Sequence, residues 1–200
     1  MSNFNPNEDY ILENEHLLLR PLTMDDMEHL SVFSLYEPQL WTYSLIPANG
    51  LENLKNYMEF ALKGRTEKTS YPFIVFDKRH QKYAGSTRFY DIQEGHNTAQ
   101  LGYTWYGSEF QGTGLNKNCK YLLLEFAFEK IGWDRVEFRA DANNARSIAA
   151  MKSIGCVEEG ILRSNCKSAT GRRDSIVLSI LQKEWYDSVK NNLFNKTQRS

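Results

Sequence analysis

The sequence predicts a mixed α+β domain in which a mostly antiparallel sheet is flanked by helices. Two pairs of short apolar runs, 72–76 with 83–90 and 157–166 with 174–181, each straddle a polar turn and predict antiparallel hairpins. Segments 51–62, before the first hairpin, and 115–128, between the two, carry apolar residues at helical spacing. At 200 residues and 23.3 kDa the chain suits one core.

In chain order, His16–Arg20 forms an apolar run that stops at Pro21 and predicts the first strand. Thr23 then opens a helix, because Thr23 and Asp26 have capping-box spacing and Leu22 and Met27 have staple spacing. Tyr36 to Gly50 mixes Pro38, Pro47 and Asn49 with Trp41, Tyr43 and Leu45, which reads as an aromatic-lined loop. Leu51, Leu54, Met58 and Leu62 give a second helix, expected to end at Gly64. The hairpin follows, and Leu101, Tyr103 and Trp105 alternate into a fourth strand that leads to a glycine-bearing turn, 107–114. From Leu115 the stripe Leu115, Cys119, Leu122, Leu123 and Phe126 predicts the most buried helix. Val136, Phe138 and Ala140 mark a fifth strand, Asn143 and Asn144 a helix start, and Gly155 its end. The last hairpin turns at Ser168–Gly171. We read 1–15 as an N-terminal extension, 16–185 as the domain and 186–200 as a polar tail with little to anchor it.

Composition narrows the function. Hydrophobic residues at 41% and charged residues at 24% exclude a disordered chain and a membrane protein. With 24 Lys+Arg against 25 Asp+Glu, there is no basic excess to attract nucleic acid. Three cysteines without a C-x-x-C pair, and four scattered histidines, encode neither a disulfide framework nor a metal site. The first residues lack a basic leader, and no apolar run reaches the ~18 residues of a membrane helix. A cytoplasmic, metal-independent protein is expected.

The chemistry concentrates at Gln111-Gly112-Thr113-Gly114-Leu115-Asn116, between a strand and an amphipathic helix. The first amides of a helix have no intrahelical acceptor, and small residues let a diphosphate approach them, so this turn can cradle an anion without lysine. It also suits a plain tight turn. Gly107 and Gly112 have the outer spacing of a Walker A loop, but Thr113 stands where lysine is needed, which argues against an NTPase. A dinucleotide fingerprint fails because Lys117 replaces its last glycine and the preceding strands are antiparallel.

These pieces together resemble the GNAT superfamily of acetyl-CoA-dependent N-acetyltransferases, and its ribosomal-protein N-terminal acetyltransferase-like (RimL-type) branch. The resemblance spans His16 to Trp185. It rests on HLLLRPL, Leu101-Gly102-Tyr103-Thr104-Trp105, the Q-G-T-G-L-N turn, Asn144-Ala145-Arg146-Ser147, and Gly155 followed by Glu159-Gly160. In the superfamily pattern (Q/R)-x-x-G-x-(G/A), Gln111 and Gly114 match, while Asn116 replaces the final small residue.

The resemblance implies a GNAT-like sheet splayed between the fourth and fifth predicted strands, with pantetheine in the wedge. It implies that backbone amides of Gln111, Gly112, Thr113, Gly114, Leu115 and Asn116 bind the acetyl-CoA pyrophosphate, that Trp105 and Tyr106 pair with pantetheine, and that Asn144 contacts it too. Asn144 equally suits a helix cap. Ser147 is the candidate to protonate the departing thiol, with a simple first-turn polar residue as the rival reading. A carboxylate common in relatives before Leu-Gly-Tyr is Gln100 here, so no general base is assigned and the lean is towards α-amine acceptors, which are partly neutral already. Cys119 and Cys166 read as packing residues rather than acyl carriers. Arg163, Lys167, Arg172 and Arg173 could meet an acidic group or form a solvated face, and Trp41 and Tyr43 could line an acceptor cleft or pack on the core.

The expected activity is acetyl transfer to a primary amine, a peptide or ribosomal-protein N-terminus or a small amine, by a monomer or homodimer with no nucleic-acid or membrane partner. The alternative is a non-catalytic acyl-CoA-binding module.

Overall fold

The computed structural model describes residues 3–168 and 171–198. Eight strands form one sheet: β1 (Leu12–Glu13), β2 (Leu17–Pro21), β3 (Ser70–Asp77), β4 (Lys82–Gln93), β5 (Thr98–Tyr106), β6 (Arg135–Asp141), β7 (Val157–Ser168) and β8 (Gly171–Leu181), in the order β1-β2-β3-β4-β5-β6-β8-β7. Neighbours pair antiparallel except β5 with β6, which run parallel. Helices are α1 (Met27–Tyr36), α2 (Leu51–Thr66), α3 (Leu115–Glu125), α4 (Ala145–Ser153), the short α5 (Gln182–Glu184) and α6 (Lys190–Thr197).

The faces follow from strand alternation. Thr87 of β4 touches Lys120 of α3, while the next residue, Arg88, lies over Tyr57 and Phe60 of α2. Successive side chains of a strand point to opposite faces, so α2 and α3 cover opposite sides of the sheet. The predicted stripe of α3 is buried at Leu115, Cys119, Leu122, Leu123 and Phe126. In β6, Val136, Phe138 and Ala140 are buried and alternate with half-buried residues, as the pattern required.

Four expectations change. The turn after Thr23 is a 3₁₀ turn, Met24–Asp26, and α1 starts only at Met27; the Asp26 carboxylate accepts the Thr23 N–H at 2.8 Å and is also held by Arg20. Helix α2 runs through Gly64 to Thr66. A Cβ at Gly64 would stand 2.8 Å from that of Ser70, so this glycine permits close approach to β3, and the left-handed residue past the helix is Lys68 (φ 61°). Within 1–15, read as an extension, Leu12–Glu13 pair with β2 as a strand too short to give a pattern. Finally, 190–197 are helical rather than an unanchored tail: Leu193 is buried and Phe194 packs on Tyr121 of α3, 5.7 Å between ring centroids. Of the expected turn at 168–171, Ala169 and Thr170 lie outside the described residues.

Candidate functional site

Strand β5 enters the site already fixed. The Gly107 N–H donates to Ala84 O at 2.9 Å, and the Gln111 side-chain amide donates to Tyr106 O at 2.7 Å. A 3₁₀ turn at Ser108–Phe110 reverses the chain, with the Gln111 N–H donating to Ser108 O at 3.1 Å. Gly112 (φ 80°) and Gly114 (φ 86°) then adopt left-handed backbone, where a side chain would be strained. Thr113 Oγ1 donates to Phe110 O at 2.8 Å and Arg79 donates to Thr113 O at 3.1 Å, so the carbonyls are turned to protein.

The amides are left over. Gly114 is the N-cap of α3 and offers no side-chain acceptor. Among the described residues, the N–H groups of Gly112, Thr113, Gly114 and Asn116 have no acceptor, and that of Leu115 reaches only Thr113 Oγ1 at 3.4 Å. Free amides at the positive end of a helix are suited to an anion. Of the six residues singled out from sequence, the Gln111 amide is engaged within the turn and the Leu115 side chain is buried in the core.

Beside this turn the sheet opens. Residues 98–100 of β5 pair with 135–137 of β6, and beyond Gln100 the two strands no longer pair. In the freed half, Arg88 opposes Gly102 and Ser86 opposes Trp105, so Tyr103 and Thr104 face the single residue Thr87 across a bulge, with Tyr103 at φ 48°. The Trp105 ring lies 4.9 Å from Trp41 and donates to Tyr57 Oη at 3.3 Å, whereas Tyr106 turns to the α3 side and donates to Asn116 Oδ1 at 3.3 Å. Trp41 is therefore core. Tyr43 is exposed, and its hydroxyl donates across to Asn143 O at 3.4 Å, tying the 36–50 loop to the start of α4.

Asn144 caps α4, its Oδ1 accepting the Ser147 N–H at 3.0 Å. The Ser147 hydroxyl has no partner among the described residues. The four cations of the last hairpin do not converge: Arg173 is buried beside Asp141 (3.9 Å), Arg172 folds onto Ser164, and Arg163 and Lys167 are exposed. Burial pushes the Cys119 thiol up and Cys156 to about 12, so both are inert packing groups. Cys166 is half-buried.

Two features escaped the sequence reading: the partner of Gln100, and Lys120. Gln100 is buried, and its amide donates to the Asp91 carboxylate at 2.7 Å; Asp91 belongs to β4, so spacing along the chain gave no sign of the pair. Lys120 is buried under β4 and β5, donating to Thr104 Oγ1 at 2.7 Å and Thr87 Oγ1 at 3.4 Å, and burial lowers its pKa to about 8. Among the described residues, no group of three or more His, Cys, Asp or Glu is placed to hold a metal, and no helix is long and apolar enough to cross a membrane.

Known proteins share this architecture. A family model described as "Acetyltransferase (GNAT) domain" matches residues 16–157. YdaF of Bacillus subtilis (strain 168), named as a candidate ribosomal N-acetyltransferase, is 25% identical over 187 residues, covering 86% of this chain and 94% of its own. A GCN5-related N-acetyltransferase from Brucella melitensis superposes with a TM-score of 0.87 at 22% identity, over 96% of this chain and 86% of that one. Mycobacterium smegmatis RimJ, solved in complex with CoA-disulfide, gives 0.78 at 19% identity, over 95% and 94%. These names agree with the branch that the sequence resembles. The splayed sheet, the uncapped helix start and the matched family lead to one conclusion: the chain belongs to the GNAT acetyltransferase family and is an N-acetyltransferase.

Proposed function

We propose that this protein transfers the acetyl group of acetyl-CoA to a primary amine, a protein N-terminal α-amine or a small-molecule amine, by direct attack in a ternary complex. The observation that carries the reading is the set of acceptor-less amides at Gly112, Thr113, Gly114 and Asn116, set at the mouth of the gap between β5 and β6. On this reading they hold the diphosphate. The pantetheine arm lies along β5 near Trp105 and Tyr106, in the manner of an added strand, with the Asn144 side-chain amide on the far side. The relatives' names support a RimL-type, ribosomal-protein acceptor, and the CoA complex of RimJ supports the donor. The unpaired cysteines suit a cytoplasmic setting.

The neutral amine attacks the thioester carbonyl, a backbone N–H near Trp105 stabilises the oxyanion, and the C–S bond breaks as the amide forms. A thiol pKa near 8.5 makes thiolate a fair leaving group, so most of the rate comes from holding both reactants in line. Ser147 gives its proton to the sulfur and regains one from the solvent that takes the amine's. Gln100 cannot accept a proton, which favours α-amines, about half neutral near pH 8, over lysine side chains.

The test is thiol release from acetyl-CoA across a panel of amines and peptides. Amine-dependent release is expected; CoA binding without any release would instead identify a non-catalytic acyl-CoA-binding module, the alternative raised by Gln100 and Asn116 together. In the same assay Ser147→Ala is expected to lower kcat by ~10-fold or more. An unchanged kcat at saturating acetyl-CoA removes Ser147 from the chemistry.

A further inference from the structure

On the α2 face of the bulge lies a cleft of about 220 Å³ whose lining includes Phe60, Ser70, Arg88 and Tyr103 together with the charged Lys63, Glu67 and Asp91. Arg88 is its floor. Only 2% of this residue is exposed, and its guanidinium lies 3.6 Å from the centroid of the Tyr103 ring, with Tyr57 and Phe60 at 5.2 and 5.1 Å. Aromatic faces satisfy the charge in part. They leave its hydrogens unsatisfied, because Nε and Nη2 have no partner among the described residues. Ser70, 6% exposed and lining the same cleft, likewise has a buried hydroxyl without a partner. Buried donors left unpaired are costly, so three shut just behind the wall of one cleft call for a ligand that displaces part of that wall to reach them.

Their chemistry selects it. Nε and Nη2 form the side-on edge of the guanidinium, two parallel N–H groups that match the two oxygens of a carboxylate. The acidic groups of the lining are already committed: Asp91 accepts from Gln100 (2.7 Å) and Gln93 (3.2 Å), and Glu67 lies 3.6 Å from Lys63. Exposed Phe60 can cover the methylenes of an incoming side chain. Gly102, opposite Arg88, is three residues from Trp105, a distance of about 10 Å along a strand. We propose that this cleft binds a carboxylate of the acceptor, carried two or three residues from the amine that is acetylated, with Arg88 as the bidentate partner and Ser70 as an added donor.

The proposal rests on the acetyl-transfer reading above, and its test keeps the two apart. Two peptides with the same free α-amine, one with glutamate and one with glutamine at the second and third positions, are titrated into the CoA-bound protein by calorimetry. The acidic peptide is expected to bind ~10-fold or more tightly, Arg88→Gln to reduce that preference to about twofold or less, and Ser70→Ala to weaken it about threefold. Arg88→Lys, which keeps the charge without the fork, falls between wild type and Arg88→Gln. Equal affinity of the two peptides for the wild type overturns the proposal, as does a preference that persists in Arg88→Gln. Should that variant fail to fold, the wild-type comparison and Ser70→Ala decide. A binding preference without acetyl transfer to either peptide counts against the catalytic reading and leaves the carboxylate site standing.

Discussion

Lys120 carries a charge that the core disfavours. Its ammonium is enclosed, with two threonine hydroxyls as its hydrogen-bond partners and no ion pair among the described residues, and burial lowers its pKa from 10.5 to about 8. Below pH 8 both native and unfolded chains hold the proton, and the native state bears the full desolvation penalty, on the order of 3 kcal/mol. Between pH 8 and 10.5 the unfolded chain binds more protons, so this group makes stability rise with pH. Lys120→Met is expected to be more stable than wild type by ~1–3 kcal/mol near neutral pH, an advantage that shrinks as pH approaches 10. Urea unfolding of both proteins across that range checks it; a less stable variant at neutral pH would show that the hydroxyl contacts outweigh desolvation. None of this was legible in the sequence, where Lys120 is one polar residue between Cys119 and Tyr121. Its depth is set by the two strands that α3 covers.

At the scale of elements, the β6-β8-β7 edge is laced by side chains as well as by its ladder. Arg135 of β6 reaches across β8 to Glu159 of β7, with Nη2 2.7 Å from Oε2, and Ser179 of β8 donates to Glu159 Oε1 at 2.7 Å. The Arg135 partner is the main reason the Glu159 carboxyl is lowered to about 2, with Ser179 adding to it. A depressed carboxyl contributes stability that is fully present above its unfolded pKa of 4.5 and is lost as pH falls towards 2. Glu159→Gln is therefore expected to flatten the acid limb of the stability profile between those values, measured by thermal melting at stepped pH. An unchanged acid limb would mean that solvent screens the pair fully.

The same scale shows what sequence could and could not reach. Both hairpins, the α3 stripe and the Asn144 cap were readable because each is local: a period, a turn or a cap lies within a dozen residues. The end of α2 was misplaced because Gly64 answers to Ser70, beyond the helix. The docking of α6 was missed because a single buried leucine and the Tyr121–Phe194 contact carry it, and neither makes a periodic signal in a polar segment.

Across the whole molecule, the site is assembled from parts that are remote in sequence. The parallel β5–β6 pairing ends after three residues a side, strand alternation past the bulge sends Trp105 and Tyr106 to opposite faces, and the turn at 111–116 presents its amides beside the opening. Sequence located the turn, since glycines between a strand and an amphipathic helix are a local signature. It could not say which amides the fold would leave free, nor that Arg88 and Ser70 of neighbouring strands would line one cleft.

The central claim is that the uncapped start of α3 receives the diphosphate of CoA. The most direct measurement is a nuclear magnetic resonance titration of nitrogen-labelled protein with CoA, following each backbone amide. The amides of Gly112, Thr113, Gly114 and Asn116 are expected to shift most, and pantetheine, which lacks the diphosphate, to leave them in place. CoA binding that leaves those four amides unmoved, or no binding by the folded protein, would contradict the account.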